Sequence, residues 1–331
     1  MASEAPVSSE KILAIVLAGG QGSRLHPLTL NHSKPSIVFG GYRLVDFVLS
    51  NLINSGIESI YLLAQYKPES LVEHVHANWT FASDDGERFV SVVLPRHEEG
   101  EYFYGTADAV CQNLELIERH APDLVAVFAA DHVYRMDVRQ MVAWHLQRDA
   151  DVTVAATQMP LEQAGAFGVI VADEQGRIVD FQEKPEHPAP LSAHPGHAYV
   201  SMGNYLFNTE VLVEGLERSL QLGETDFGRH LLPRLASNHR VYAYDFARNK
   251  VPGMQAHEEQ DFWRDIGTLD AYVEALLDVN GNAPRLNLDN PRWPVLPALS
   301  AQRPLFDAKY PRMAVAKKRR PARALSYTII G

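Results

Sequence analysis

Short apolar runs alternate along the chain with amphipathic stretches of helical period. Ile12 to Leu17 is wholly apolar and reads as a buried strand. Further strands are predicted at Ser59 to Ala64, around Val90, Val92, Val93 and Leu94, at Leu124 to Ala130 and at Val152 to Thr157. Between them, helices are predicted over Arg43 to Ser55, Pro68 to Asn78, Thr106 to Arg119 and Asp137 to Arg148. In the first, Leu44, Val48 and Leu52 form one row with Val45, Leu49 and Ile53 beside it, and Gly56 suits the residue after the helix end. This alternation predicts an α/β fold with a Rossmann-like, mostly parallel sheet flanked by helices.

After Pro160 glycine and proline become denser, and Glu186 to Gly196 reads as a loop. Strands at Val169 to Ala172, Ile178 to Gln182 and Met202 to Phe207 surround it and suggest an added substrate-side lobe on the same sheet. Helices are expected over Asp226 to Leu235, carrying Phe227, Leu231 and Leu232, and over Leu269 to Val279. The polar residues 1–10 are expected to be disordered and 11–290 to form one domain. Periodicity is lost over 291–331, an irregular tail in which Lys317-Lys318-Arg319-Arg320 reads as a solvated basic run.

The 331 residues, 46% of them hydrophobic, can bury a sizeable core. A net charge of −11 argues against a general nucleic-acid binder. No run reaches the length of a membrane span, and no apolar signal core opens the chain. A single cysteine, Cys111, precludes an internal disulfide framework and fits a cytoplasmic protein.

The chemistry concentrates after the first strand. Leu17-Ala18-Gly19-Gly20-Gln21-Gly22-Ser23-Arg24-Leu25 leads on to Lys34-Pro35. Such a loop can cradle phosphate oxygens with backbone N–H groups, and Arg24 and Lys34 add cationic charge. Leu25 stands where a dinucleotide fingerprint needs its last glycine, and the Walker Gly-Lys-Ser/Thr is absent. An ordinary strand-to-loop turn would need neither cation. Asp131 ends the apolar strand and should lie at its carboxyl end, where open α/β sheets bind ligands. A carboxylate there could hold Mg²⁺; alternatively Asp131 caps a turn and Asp265 pairs with Arg264. Lys34 and Lys184 each precede a proline, which predicts extended backbone. His132 is read as structural.

The G-G-x-G-x-R-L…K-P pattern resembles the signature of sugar-nucleotide pyrophosphorylases. The blocks Phe39 to Phe47, Ser50 to Gly56, Gly105 to Ala109, Asp131 to Tyr134, Phe181 to Pro185 and Trp263 to Thr268 resemble, in their order, bacterial glucose-1-phosphate adenylyltransferases, from about Ile12 to Trp293. The resemblance implies adenylyl transfer from ATP to α-D-glucose 1-phosphate for glycogen synthesis, with Mg²⁺ on Asp131 and Asp265. It implies catalytic roles for Arg24, Lys34 and Asp131. It assigns nucleotide contacts to Ala18, Gly19, Gly20, Gly22, Gln65, Gly105 and Thr106, with Gln65 at the adenine edge. Glucose 1-phosphate would meet Phe103, Gly168, Glu183, Lys184 and Ser201. A homo-oligomer is implied as well. Ala130, Phe103 and Tyr104 replace the glycine, tyrosine and arginine typical of relatives, and Asn31 and His32 replace basic activator-site residues. The left-handed β-helix repeat of relatives is not visible after Trp293. A non-catalytic sugar-nucleotide-binding subunit and a uridylyl- or thymidylyltransferase are the alternatives.

Overall fold

The computed structural model describes residues 10–79, 88–95 and 102–296. In chain order the strands are β1 (Ile12–Leu17), β2 (Val38–Phe39), β3 (Tyr42–Arg43), β4 (Ser59–Leu63), β5 (Phe89–Val93), β6 (Leu124–Ala129), β7 (His132–Tyr134), β8 (Val152–Pro160), β9 (Gly168–Ala172), β10 (Ile178–Glu183), β11 (His197–Asn208), β12 (Val241–Asp245) and β13 (Trp263–Asp265). The α-helices are α1 (Leu44–Asn54), α2 (Glu69–Asn78), α3 (Thr106–Cys111), α4 (Leu114–His120), α5 (Val138–Gln147), α6 (Leu161–Ala164), α7 (Thr209–Leu222), α8 (Leu232–Asn238) and α9 (Leu269–Asp278).

β6, β1, β4 and β5 lie side by side and parallel, with Ile15 paired to Val127 on one flank and to Tyr61 on the other. Along β1, Leu13 and Ile15 enter one core cluster and Ala14 and Val16 the other. A strand covered on both faces must be apolar throughout, which is why β1 and β6 show no polar alternation. The added lobe is mainly antiparallel: β11 pairs with β6, β8 and β9, and β9 with β10, while β12 joins β8 in parallel, so the whole is a mixed sheet with a parallel core. No helix among the described residues is long and apolar enough to cross a membrane.

Four local expectations need correction. The stretch Thr106 to Arg119 is two helices, because the buried Asn113 side chain donates to the Ala109 carbonyl while its own N–H turns to Val110. The stretch Asp226 to Leu235 opens as a π-helical turn, Phe227–Leu231, capped by Asp226, before α8 begins. Lys34 starts a 3₁₀ turn rather than an extended segment. Lys184 has φ of +46°, held there as its N–H donates to the Phe167 carbonyl. α7 and β12 lie outside the elements expected from the sequence.

The Ser50 to Ser55 stretch of α1 has a visible structural task. Ser50 accepts from the Leu296 N–H, and Asn54 donates to the Pro294 carbonyl. Asn51 accepts from Met136 N–H and Trp293 Nε1 and donates to the Tyr134 carbonyl. The segment Leu286 to Leu296 is thus fastened to α1 and β7. Residues 1–9 and 297–331, with the basic run, lie outside the described residues.

Candidate active site

The glycine loop leaves β1 at Ala18, whose N–H donates to Leu63 O on β4. Gly22 has φ of +61°, and a β-carbon there would sit 3.0 Å from Thr29 Cγ2 and 3.1 Å from Lys34 Cβ. Only glycine fits both the backbone and the space. A β-carbon on Gly20 would meet nothing within 4 Å, and one on Gly19 would face Gln65 at 3.5 Å. The loop therefore turns backbone, not side chains, toward open space beside Gln65. Arg24 is exposed, and its guanidinium points toward Gly267, where a β-carbon would be 3.6 Å from its Nη2. It forms no ion pair among the described residues.

Asp131 follows β6, at the carboxyl end of the parallel core. Asp265 reaches it through the antiparallel β7–β13 ribbon, in which His132 and Asp265 are register partners. Arg264 points to the other face and pairs with Glu259 and Asp278, so it does not neutralise Asp265. That task falls to Lys34, whose Nζ lies 2.7 Å from Asp131 Oδ2 and 3.2 Å from Asp265 Oδ1. Burial disfavours charge on Lys34, but the two carboxylates outweigh it and hold its pKa above the usual lysine value. Desolvation would raise Asp131, yet His132 and the Lys34 ammonium hold it well below the usual carboxylate range. Asp131, His132 and Asp265 bring their ligand atoms within 4.8 Å of one another.

A second cluster forms where β10 meets the π-helical turn. Glu183 ends β10 with its carboxylate against Gly168 and Gly228, and Lys184 Nζ is 3.7 Å from Glu183 Oε1 with a largely exposed side chain. Burial raises the Glu183 pKa, and the neighbouring Asp226 carboxylate raises it further. Thr106 donates to Asp226 Oδ2 at 2.9 Å and accepts from the Phe227 N–H at 3.0 Å, which ties α3 to this turn. Gly105 is pressed against Thr225, whose carbonyl carbon would be 2.9 Å from a β-carbon there. Ser201 is buried at a bulge in β11 and accepts from the Gly203 N–H. Gly203 in turn abuts His132.

Two residues sit differently from a free ligand contact. The Gln65 amide is clamped to Phe103: Nε2 donates to the Phe103 carbonyl at 3.1 Å and Oε1 accepts its N–H at 2.8 Å. The Phe103 ring is buried in a core cluster with Phe181 and Phe227. Sequence reasoning missed Asp226, Gly228 and Gly267, which frame the two clusters. The Asp-Phe-Gly of 226–228 carried a signal, an acidic residue and a glycine at the start of a helix, but reads from sequence as an ordinary cap.

The family model described as nucleotidyl transferase matches residues 13–281. A glucose-1-phosphate adenylyltransferase of Thermodesulfovibrio yellowstonii is 53% identical over 291 residues, covering 87% of this chain and 71% of that protein. The enzyme of that name from Thermus thermophilus is 48% identical over 294 residues, 86% of this chain and 70% of that protein. Glucose-1-phosphate adenylyltransferase 1 of Vibrio cholerae is 42% identical over 288 residues, again 86% and 70%. A glycine loop beside a lysine held between two carboxylates, with identity of this extent, leads to one conclusion: the chain belongs to the nucleotidyl transferase family and, within it, to the glucose-1-phosphate adenylyltransferases.

Proposed function

We propose that the chain transfers the adenylyl group of ATP to α-D-glucose 1-phosphate, giving ADP-glucose and pyrophosphate for glycogen synthesis. The observation that carries this reading is the Lys34 ammonium held between Asp131 and Asp265 beside the glycine loop and Arg24. Two carboxylates that already share one cation fit a divalent ion, and hard oxygen donors suit Mg²⁺. When bound there, Mg²⁺ would neutralise triphosphate oxygens and polarise the reacting phosphate.

The chain's own groups then do the positioning. A phosphate oxygen of glucose 1-phosphate forms a bond to the α-phosphorus, and the bond to the β-phosphate oxygen breaks. The electron pair leaves with pyrophosphate. The attacking oxygen is already an anion, so no general base is required. Catalysis is alignment and charge stabilisation. Ala18, Gly19, Gly20 and Gly22 let phosphates approach the backbone. Arg24 stabilises the charge at the pentacoordinate phosphorus and on the leaving group, and Lys34 shares its ammonium between carboxylates and phosphate.

Gln65 reads the adenine edge by exchanging a hydrogen bond to Phe103 for one to the base. Gly105 and Thr106 support the nucleotide through the turn they anchor. Glu183 accepts from sugar hydroxyls. Lys184 meets the sugar phosphate, with Ser201 and Gly168 beside it, and Phe103 backs this wall from the core. The same reading carries a cytoplasmic homo-oligomer.

Pyrophosphate release with glucose 1-phosphate and Mg²⁺, compared across ATP, UTP and dTTP, tests it. Release with ATP alone supports the proposal. Release with UTP or dTTP instead changes the base. No release from a folded sample that still binds ADP-glucose makes the chain a binding subunit.

A further inference from the structure

His132 occupies a place that packing alone does not explain. Its ring is buried against Trp263, centroid to centroid 4.9 Å, and Trp263 in turn packs on Phe167. An apolar side chain would fill that space without desolvating two nitrogens. Nδ1 is buried and has no hydrogen-bond partner among the described residues. Nε2 faces two carboxylates: Asp131 Oδ1 at 3.4 Å and Asp265 Oδ1 at 3.7 Å. Strand pairing fixes this arrangement, because His132 and Asp265 are register partners in the β7–β13 ribbon. A β-carbon on Gly203, at the bulge of β11, would stand 3.5 Å from the ring's Cε1.

We propose that His132 Nε2 is a third, nitrogen ligand of the divalent cation held by Asp131 and Asp265. This rests on the reading of those two carboxylates as cation ligands. Neighbouring ligand atoms around an octahedral ion at ordinary bond lengths lie roughly 3 Å apart. The observed nitrogen-to-oxygen separations of 3.4 and 3.7 Å need only a small contraction. Two carboxylates alone suit hard cations. Adding an imidazole brings Mn²⁺ and Co²⁺ into the preferred range, because nitrogen donors favour transition ions over Mg²⁺. His132 thereby sets which cations the site holds, and the reaction it serves is unchanged.

Mn²⁺ added alone to the full chain gives a direct test by pulsed electron paramagnetic resonance. The expected spectrum contains ¹⁴N modulation from a directly bound imidazole. Growing the protein on ¹⁵N-histidine should replace that modulation, which excludes lysine or backbone nitrogen as its source. His132→Asn and His132→Ala should abolish it and weaken Mn²⁺ and Co²⁺ by about tenfold or more, with a smaller change for Mg²⁺. Thermal melting of both variants checks the fold, and the wild-type spectrum decides the question even if a variant fails to fold. Mn²⁺ that is bound, and released by Asp131→Asn, but shows no histidine nitrogen would overturn this inference alone. Failure of the wild-type chain to bind Mn²⁺ would overturn it together with the carboxylate reading beneath it.

Discussion

Gly228 stands so close to Glu183 that a β-carbon at 228 would lie 3.1 Å from the Glu183 carboxyl carbon and overlap Oε2. The atom in the way is the end of a flexible side chain, so the fold can yield at little cost while the carboxylate cannot stay where it is. Gly228→Ala is therefore expected to leave the melting temperature nearly unchanged and to raise the KM for glucose 1-phosphate at least several-fold, with the KM for ATP little affected. Equal rises in both constants, or none, would show that the Glu183 carboxylate is not positioned for the sugar.

The same carboxylate sets a pH limit. Burial raises its pKa, the Asp226 carboxylate adds to this, and Lys184 and Arg229 oppose it without cancelling it. A raised pKa means that the ionised, acceptor form is lost earlier as pH falls than for an ordinary glutamate, near 4.3. On acidification kcat/KM for glucose 1-phosphate should fall already above that value. The sugar phosphate titrates near pH 6 as well, so the informative quantity is the difference between wild type and Glu183→Gln. The amide variant should be slower throughout and should lose the Glu183 part of the acid limb; an unchanged limb would assign it wholly to other groups.

Arg24 is exposed and its guanidinium has no acidic partner among the described residues, in contrast to Lys34 between its two carboxylates. Its charge is thus available to a ligand without first breaking a contact. Removing such a stabilising group costs about 10²–10³ in turnover where it acts on the transition state. Arg24→Ala should show a loss of that order in kcat with the melting temperature preserved. Near-normal turnover would remove Arg24 from the reaction.

Much of this was legible in the sequence. β1 and β6 are apolar on both faces because both are covered, and the glycines of the loop mark a turn whose positive φ and close packing at Gly22 exclude a side chain. Asp131 could be placed from the strand it follows. Asp265 could not be placed by pattern, since β7 and β13 are three-residue strands, too short to carry a period. Its position came only from the resemblance. The helix α7 hides behind Gly215, which reads as a helix breaker. A β-carbon there would be 2.9 Å from Cδ1 of the buried Leu231, which would have to shift to admit it. Lys184 broke the pre-proline rule because a backbone hydrogen bond to Phe167 outweighs the steric preference.

Asn51 offers a test of stability distant from the chemistry. It is buried, and its amide serves Tyr134, Met136 and Trp293 at once. Alanine would remove the partner of a buried carbonyl and of two buried N–H groups, each stranded group costing about 1–3 kcal/mol. Asn51→Ala should destabilise the fold by about 2–4 kcal/mol in urea denaturation. A loss below about 1 kcal/mol would mean that water replaces the amide at this junction.

His145 predicts how stability depends on pH. It is buried, with Nδ1 2.9 Å from Thr153 Oγ1 and Nε2 3.0 Å from Asn208 Oδ1. The amide oxygen of Asn208 accepts from Nε2–H, which leaves Nδ1 to accept from the Thr153 hydroxyl. Both ring nitrogens are thus satisfied in the neutral form. Burial lowers the pKa, and the hydrogen bond to Asn208 does not restore it. The sign follows from linkage: the unfolded chain takes up a proton near pH 6.5, which the folded chain refuses until a lower pH. This residue therefore leaves stability intact above about pH 6.5 and draws it down as pH falls below that point. Melting temperatures of wild type and His145→Gln, compared from pH 8 to 5, should converge toward acid, because the variant has no such proton to exclude. Curves that run parallel through this window would show that His145 is not held neutral by the fold.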